Sequence, residues 1–526
     1  MNFWTASHPL RRSDCAAVRC AIRWMLATVA ALPASVGGAS AAEGGVIFVD
    51  GREPESALTP PAEPALREKL AGVSSVEAVV DTVLAHYHWN GRPVTEVEVV
   101  PAAGEAGPLT VKISEGVIGG VAVEADSPWM AAAVLAQTRD LQGQPLLLGT
   151  VAGRLDWLHR HPLHAVTLGF RPGDGPATAD AVFTVHGTRP WRLFAGWNND
   201  GVDPLPEHRF SAGFELADPF GIPLWLTGEG SVSEDPEAFQ SWRGAARWFL
   251  PWRHEWRLSG GWATARSDVL PAPLTGSELH DWNISSRYAI PIGTVAGAGL
   301  EVAVGADFRR TDSTVFAGGA AAAAAADTAQ AALDLSLERP GNPFSWGEQV
   351  SLLWSPGGLT DGDADERHSA LRPGAEAEHV VLRGRGWGRW DGGGGWAVSM
   401  QAGWQWTSAP VLPGGQIPVG GAAAVRGYPE ASALGDDGVW GNLELEAPRR
   451  PCWCGVSGEA APTWQPVVFL DAGWSADRVR DDESTLASAG VGVRVRWSRH
   501  AALAMDYAWR LTEPGGRLHL AFRFEF

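Results

Sequence analysis

A chain of 526 residues exceeds one compact soluble domain and predicts several units. Lys and Arg number 41 against 60 Asp and Glu, and the net charge of −19 argues against a nucleic-acid partner. Mean hydropathy of −0.07, no long apolar run after the N-terminus and 27 Trp beside 4 Tyr argue against a helical membrane protein and leave a membrane β-barrel open.

Residues 1–42 have the grammar of an export signal and are set aside from the fold. Arg11, Arg12, Arg19 and Arg23 make a basic start, 24–36 is a short apolar core, and Ala39-Ser40-Ala41 is a small-residue cleavage site. Cys15 and Cys20 belong to that segment, leaving Cys452 and Cys454, too few for a disulfide framework and two positions apart, where a bond would be a strained ring.

Between 46 and 188 one supersecondary plan occurs twice. The first copy predicts a strand at 46–50, helices at 65–72 and 75–90, and strands at 94–101 and 109–115. Val79, Val80, Val83, Leu84 and Tyr87 share one face of the second helix. The second copy predicts a strand at 117–124, helices at 128–141 and 147–160, and strands at 165–171 and 179–186. Such β-α-α-β-β units pack helices on one sheet face and leave an edge open to strand addition by an extended peptide.

At Arg189 helical periodicity stops. Sixteen stretches with period-two alternation follow, at 189–199, 209–220, 224–234, 238–250, 255–266, 278–292, 300–310, 330–338, 349–355, 376–390, 396–407, 438–447, 467–476, 489–497, 501–509 and 517–526. Short turns such as 251–254 and 498–500 alternate with long connections, the longest at 408–437. Ala320 to Ala326 is taken as low-complexity loop, and the acidic run Asp361, Asp363, Asp365 and Glu366 as a solvated loop rather than a calcium site. The expected fold is therefore α+β repeats followed by an all-β, sixteen-stranded antiparallel transmembrane barrel. In the last stretch Leu518, Leu520, Phe522, Phe524 and Phe526 alternate with His519, Ala521, Arg523 and Glu525, a lipid face against a wet one.

The longest connection carries Val425-Arg426-Gly427-Tyr428 in a run of small residues. A guanidinium on such a tether can pair bidentately with a carboxylate, and Gly427 permits a tight reversal. Phe469-Leu470-Asp471-Ala472-Gly473 lies in a predicted strand, where Asp471 at membrane depth must face the lumen and be paired.

Together the Val-Arg-Gly-Tyr tip and the Phe-x-Asp-x-Gly strand resemble the two signature motifs of the BamA-like superfamily of outer-membrane assembly and secretion barrels. The resemblance implies a loop folded into the lumen, with Val425, Arg426, Gly427 and Tyr428 at its tip and Phe469, Asp471 and Gly473 on the wall. It also implies that Phe522, Phe524 and Phe526 form a C-terminal barrel-assembly signal. The repeats resemble polypeptide-transport-associated (POTRA) domains, the first at 43–116 and the second at 117–188, ahead of a barrel at 189–526. Two such units point to the two-partner secretion transporters (TpsB, the haemolysin secretion/activation proteins). Tyr87 to Gly91, Ser114-Glu115-Gly116, Arg189-Pro190-Trp191 and the stretch from Trp354 to Thr360 are similar to that branch as well. In one respect the chain departs from it: a strand at Val46 leaves no room for the plug helix and linker with which such transporters commonly begin.

The function implied is a passive pore in the outer membrane of a Gram-negative bacterium, carrying an unfolded partner protein captured by periplasmic POTRA units. The same resemblance implies outer-membrane lipid and lipopolysaccharide around the barrel, and the barrel assembly machinery for its insertion. Alternatives are a factor that inserts other proteins into the outer membrane, or a small-solute porin. An enzyme is not expected, since no G-x-S-x-G elbow, H-E-x-x-H or phosphate loop occurs. No cofactor or metal is expected either. His86 and His88, and His159, His161 and His164, cluster without a nearby carboxylate or Cys at ligand spacing, and are taken as structural or solvated.

Overall fold

A computed structural model describes residues 46–50, 66, 68–70, 73, 75–100, 109–186, 189–268, 274–317, 320–452, 462–498 and 500–526. The export-signal expectation and Cys454 fall outside these residues; Cys452 is half-buried. The chain forms two units, an N-terminal one that also takes in the turn Ala217–Pro223, and a barrel.

The N-terminal unit contains two three-stranded sheets of identical topology. In the first, β1 (Val46–Asp50) pairs parallel with β3 (Leu109–Glu115), which pairs antiparallel with β2 (Thr95–Val100). In the second, β4 (Val117–Ala125), β6 (Thr178–His186) and β5 (Ala165–Pro172) repeat that arrangement. Helix α1 (Val76–Trp89) is capped by Ser75, whose side chain accepts from the Ala78 N–H. Its Val79, Val83 and Tyr87 pack with Leu66 and Leu70 onto Val111 and Ile113. Helix α2 (Pro128–Thr138) starts on Pro at its first turn, and with α3 (Leu148–Leu158) closes a second core around Ile118, Met130, Val134, Leu158 and Phe183. Trp157 lies in that interface because Gln137 Oε1 accepts from its indole N–H at 2.8 Å.

The barrel consists of β7 (Trp191–Asn198), β8 (Arg209–Ala217), β9 (Leu224–Ser233), β10 (Phe239–Phe249), β11 (Glu255–Ser267), β12 (Leu274–Val295), β13 (Ala298–Ala317), β14 (Ala320–Arg339), β15 (Phe344–Pro356), then, after helix α4 (Asp365–Leu371), β16 (Glu378–Gly393) and β17 (Trp396–Thr407). After the short hairpin β18 (Ile417–Val419) and β19 (Ala433–Gly435) come β20 (Asp437–Glu446), the two-residue β21 (Arg450–Pro451), β22 (Thr463–Asp477), β23 (Asp482–Arg496), β24 (Ala501–Arg510) and β25 (Gly516–Glu525). Sixteen long strands thus pair antiparallel in chain order, and β25 closes on β7 from Ala521↔Asn198 to Glu525↔Phe194.

Alternation sorts the side chains as expected for a barrel in lipid. Leu470 is 56% exposed on the outer face of β22, whereas Phe469 and Asp471 beside it are each 3% exposed inside. Leu518 and Phe522 on β25 and Phe526 just after it are exposed, and His519 is buried. Two rows of aromatic residues run round part of the outer face: Trp242, Trp262 and Trp282 in register across β10, β11 and β12, and Trp248, Trp256 and Tyr288 in a second row across the same strands. All six rings stand on the outward face, where aromatic residues gather in a barrel in lipid.

Two loop expectations are corrected. Ala320 to Ala326 is not loop but the first part of β14, held opposite β13 from Ala317↔Ala320 to Thr311↔Ala326. Alanine is a poor strand former, but its partners across the ladder include Val315 and Phe316, and cross-strand context overrides the intrinsic preference. The acidic run is a solvated loop only in part: Asp361, Asp365 and Glu366 are exposed, the last two opening α4, whereas Asp363 is fully buried.

Truncating Phe183, fully buried between α2, α3 and the second sheet, removes a large side chain from a small core. Phe183→Ala is expected to destabilise the N-terminal unit by about 3–5 kcal/mol. In full-length protein, urea unfolding followed by limited proteolysis should show cleavage within 109–186 at lower urea, with barrel cleavage unchanged.

Candidate functional site

The connection from β17 to β20 does not stay outside the wall. It forms the β18–β19 hairpin and then a tight tip, and Val419, Val425, Tyr428 and Trp440 make a buried apolar cluster there. Gly427 sits at φ +93°, in the left-handed region that a side chain would strain, so the reversal depends on glycine. Gly473 on β22 is needed for another reason: a Cβ there would lie 2.6 Å from Val419 Cγ1 and 3.1 Å from Val425 Cγ2.

Arg426 is 3% exposed and spans to three strands. Its Nε donates to Asp471 Oδ2 at 2.7 Å and its Nη2 to Asp471 Oδ1 at 2.8 Å, a bidentate pair, and its backbone N–H also donates to Oδ2 at 3.1 Å. Its Nη1 reaches Glu444 on β20 and, at 3.3 Å, Asp506 on β24. The guanidinium lies over the Phe469 ring, 3.4 Å from the centroid. The neighbouring tip residues are held as well. Gly427 N–H donates to His519 Nε2 on β25 at 3.1 Å and its carbonyl accepts from Arg510 Nε at 2.6 Å; Tyr428 Oη donates to the Ala487 carbonyl at 3.0 Å. Contacts from β20, β22, β23, β24 and β25 converge on one tip, which is only possible from inside the barrel.

The structure therefore brings Val425, Arg426, Gly427 and Tyr428 against Phe469, Asp471 and Gly473. Phe522 and Phe524 on β25 and Phe526 just after it stand apart, with Phe524 and Phe526 in edge contact at 4.6 Å. Glu444, Asp506 and Arg494 were not singled out from sequence. Arg494 donates to Asp506 and, at 3.4 Å, to Glu444, so two guanidiniums serve three carboxylates. Glu444 had a legible signal, since Asn442, Glu444 and Glu446 alternate with Leu443 and Leu445 on β20.

A second buried ion pair ties the base of this connection to the segment after β15. Arg372, just past α4, donates from Nη1 and Nη2 to Asp436 at 2.6 and 2.8 Å, and from Nη2 to Asp477 Oδ1 at 2.7 Å. Asp436 also accepts from the Val411 and Arg478 N–H groups. In the same segment His368 Nε2 contacts the Asp327 carbonyl at 2.7 Å, and burial pushes the Asp363 carboxyl above its usual range.

The histidine clusters also change standing. The chain brings Asp218 to His161 and His164, supplying the carboxylate that the local sequence lacks, and all three groups are buried. The two imidazoles stack at 3.8 Å and 16°, and His164 Nε2 meets Asp218 Oδ2. Leu163 N–H donates to His161 Nδ1, which puts the hydrogen of the neutral ring on Nε2, facing Asp218. The ligand atoms of the three groups lie within 4.8 Å of one another, so the fold supplies here the ligand spacing that the local sequence lacks. His86 contacts Lys69 Nζ and Asn90, and His159 Nε2 the Val166 carbonyl.

Residues 325–495 match the family of haemolysin secretion/activation proteins ShlB/FhaC/HecB, a span that includes both signature motifs. No curated protein is significantly similar in sequence. Among solved structures, CdiB from Escherichia coli superimposes with a TM-score of 0.72 at 14% identity, over 98% of this chain and 99% of that one. CdiB from Acinetobacter baumannii gives 0.64 at 12% over 98% of both chains. BamA from Haemophilus ducreyi lacking POTRA domains 1–3 gives 0.52 at 11%, over 93% of this chain and all of the other. The fold is that of an outer-membrane POTRA-barrel protein.

Arg426→Met should leave Asp471 and its neighbours buried without their guanidinium, at a cost of about 3–5 kcal/mol. Thermal unfolding in detergent checks this: a large fall in Tm is expected, with Arg426→Lys recovering only part of it, since an ammonium cannot make the bidentate pair. Arg372→Met should free the 357–377 segment, so that proteinase K added to intact cells cuts there faster than in wild type.

Proposed function

We propose that this chain, a relative of the haemolysin secretion/activation proteins over residues 325–495, is an outer-membrane transporter of the two-partner secretion type, exporting a partner polypeptide to the cell surface. The observation that carries the reading is the buried pairing of Arg426 with Asp471 inside a closed sixteen-stranded barrel. A loop held by ion pairs and hydrogen bonds to five strands is a removable obstruction, unlike a loop continuous with the wall. The repeats at 43–116 and 117–188 act as two POTRA units. Each offers sheet edges, β2 and β5 among them, where an unfolded chain can add by backbone hydrogen bonds without cargo-specific side chains. Residues 408–437 act as the lumenal loop, and Phe522, Phe524 and Phe526 as the barrel-assembly signal in the lipid face. Lipopolysaccharide outside, and the barrel assembly machinery during insertion, complete the partners.

No nucleotide-binding loop occurs in the sequence. Export is driven by folding of the cargo outside, where about 5–15 kcal/mol per domain opposes its return. No residue is assigned a catalytic role.

Co-expression with a candidate exoprotein in a Gram-negative host tests the assignment. Surface appearance of the exoprotein should require this chain and fall at least severalfold with Asp471→Asn. Uptake of small sugars into liposomes at a porin-like rate, with no candidate exported, would overturn it.

A further inference from the structure

Strands β12, β13 and β14 are 22, 20 and 20 residues long, about twice what a tilted membrane strand requires. The surplus is at one end. On the outer face, the row that ends in Trp282 and Phe308, whose rings lie 5.0 Å apart, gives way at once to polar residues: His280 and Glu278 on β12, Arg310 and Asp312 on β13. Beyond that girdle, 274–281, 309–317 and 320–328 continue as a three-stranded sheet on the extracellular side.

This sheet has an uncovered edge. β15 pairs with β14 only from Ala331↔Trp354 to Arg339↔Trp346 and ends at Pro356. Just above, Ser355 Oγ near the end of β15 donates to the Ala329 carbonyl, and the 357–377 segment then takes the place of β15: Asp327 N–H donates to the Gly362 carbonyl at 2.9 Å, and the Asp327 carbonyl meets His368. Because N–H and C=O groups alternate sides along a strand, the same edge is formed by Ala321, Ala323 and Ala325. Among the described residues nothing pairs with these backbone groups on that side, and Ala320 to Ala323 are exposed.

Proteins guard such edges with Lys, Pro, bulges or a covering element. Here the register to β13 is unbroken, and the six residues Ala320–Ala325 contain neither charge nor proline. The edge runs about 20 Å, long enough for a six-residue strand, and alanine side chains place no steric bar beside it. What complements it is an extended backbone of almost any sequence. It continues the β14–β15 pairing line outward, on the side where an exported chain emerges.

We propose that the Ala320–Ala325 edge of β14 is an extracellular template to which an extended segment of the emerging polypeptide adds as a strand. The inference rests on the transporter reading for its occupant. The added strand gives the cargo its first backbone partners outside the membrane and hinders its return.

Residue-resolved amide hydrogen exchange on the purified full chain in detergent, with a capped (Thr-Val)3 peptide as probe, tests it. Saturating peptide should slow exchange about tenfold at Ala321, Ala323 and Ala325, the gain expected from one added backbone hydrogen bond each. Ala322 and Ala324, already in the β13 ladder, should not change. The same peptide N-methylated at alternate residues should have no effect on its blocked edge. Ala323→Pro removes one edge donor without touching the β13 ladder, and Ala323→Lys adds a guarding charge; either should abolish the slowing while the heat-modifiable migration of the folded barrel persists. Absence of slowing with the unmodified peptide overturns the proposal. So does slowing that rises with protein concentration in the absence of peptide, which identifies a second copy as the occupant. The readout involves no export, so its failure leaves the transporter reading standing, and failed export with intact peptide protection strikes only that reading.

Discussion

A guanidinium buried inside a barrel has to be paired, and the interior of this one is arranged around that requirement. Arg426 engages Asp471 through both oxygens, reaches Glu444 and Asp506, and lies on Phe469. Desolvating so many charges is costly, and a well-packed apolar contact could stabilise the fold as well or better. What the ion pairs add is a defined position for the loop, together with a dependence on charge that packing alone lacks. The tip occupies its place because Gly427 allows the reversal and Gly473 leaves room for Val419 and Val425.

The same logic recurs at the outer end. Arg372 is a second buried cation, shared between Asp436 at the base of the loop and Asp477 at the end of β22. The loop is therefore held at its tip by one arginine and at its base by another. The segment carrying Arg372 also covers part of the β14 edge, closing it at Asp327 and leaving the alanines beyond it open. Loop position, surface segment and exposed edge are thus connected through a short series of polar contacts.

Much of this was legible in the sequence wherever a single strand carries its own periodicity. Leu470 against Asp471, and Leu518 through Phe526 against His519 and Arg523, declare their faces without any partner in view. The pairing of Arg426 with Asp471 was implied by motifs 45 residues apart. Contacts that exist only after closure were not legible. Arg372 meets Asp477 across 105 positions, and Asp218 meets His164 across 54, with no local pattern to announce either. The alanine run was misread for a different reason: composition suggested filler, whereas the unbroken ladder to β13 made it strand.

The central claim is that the loop tip and the barrel wall act as one coupled unit in the conducting path. Single-channel conductance in planar bilayers, comparing wild type with Arg426→Ala, Asp471→Ala and the double substitution, tests it most directly. Coupling predicts that each single change alters conductance and open-state noise alike, and that the double change adds nothing to either. Single variants that match wild type in a steady wide pore, or effects that simply add, would contradict it.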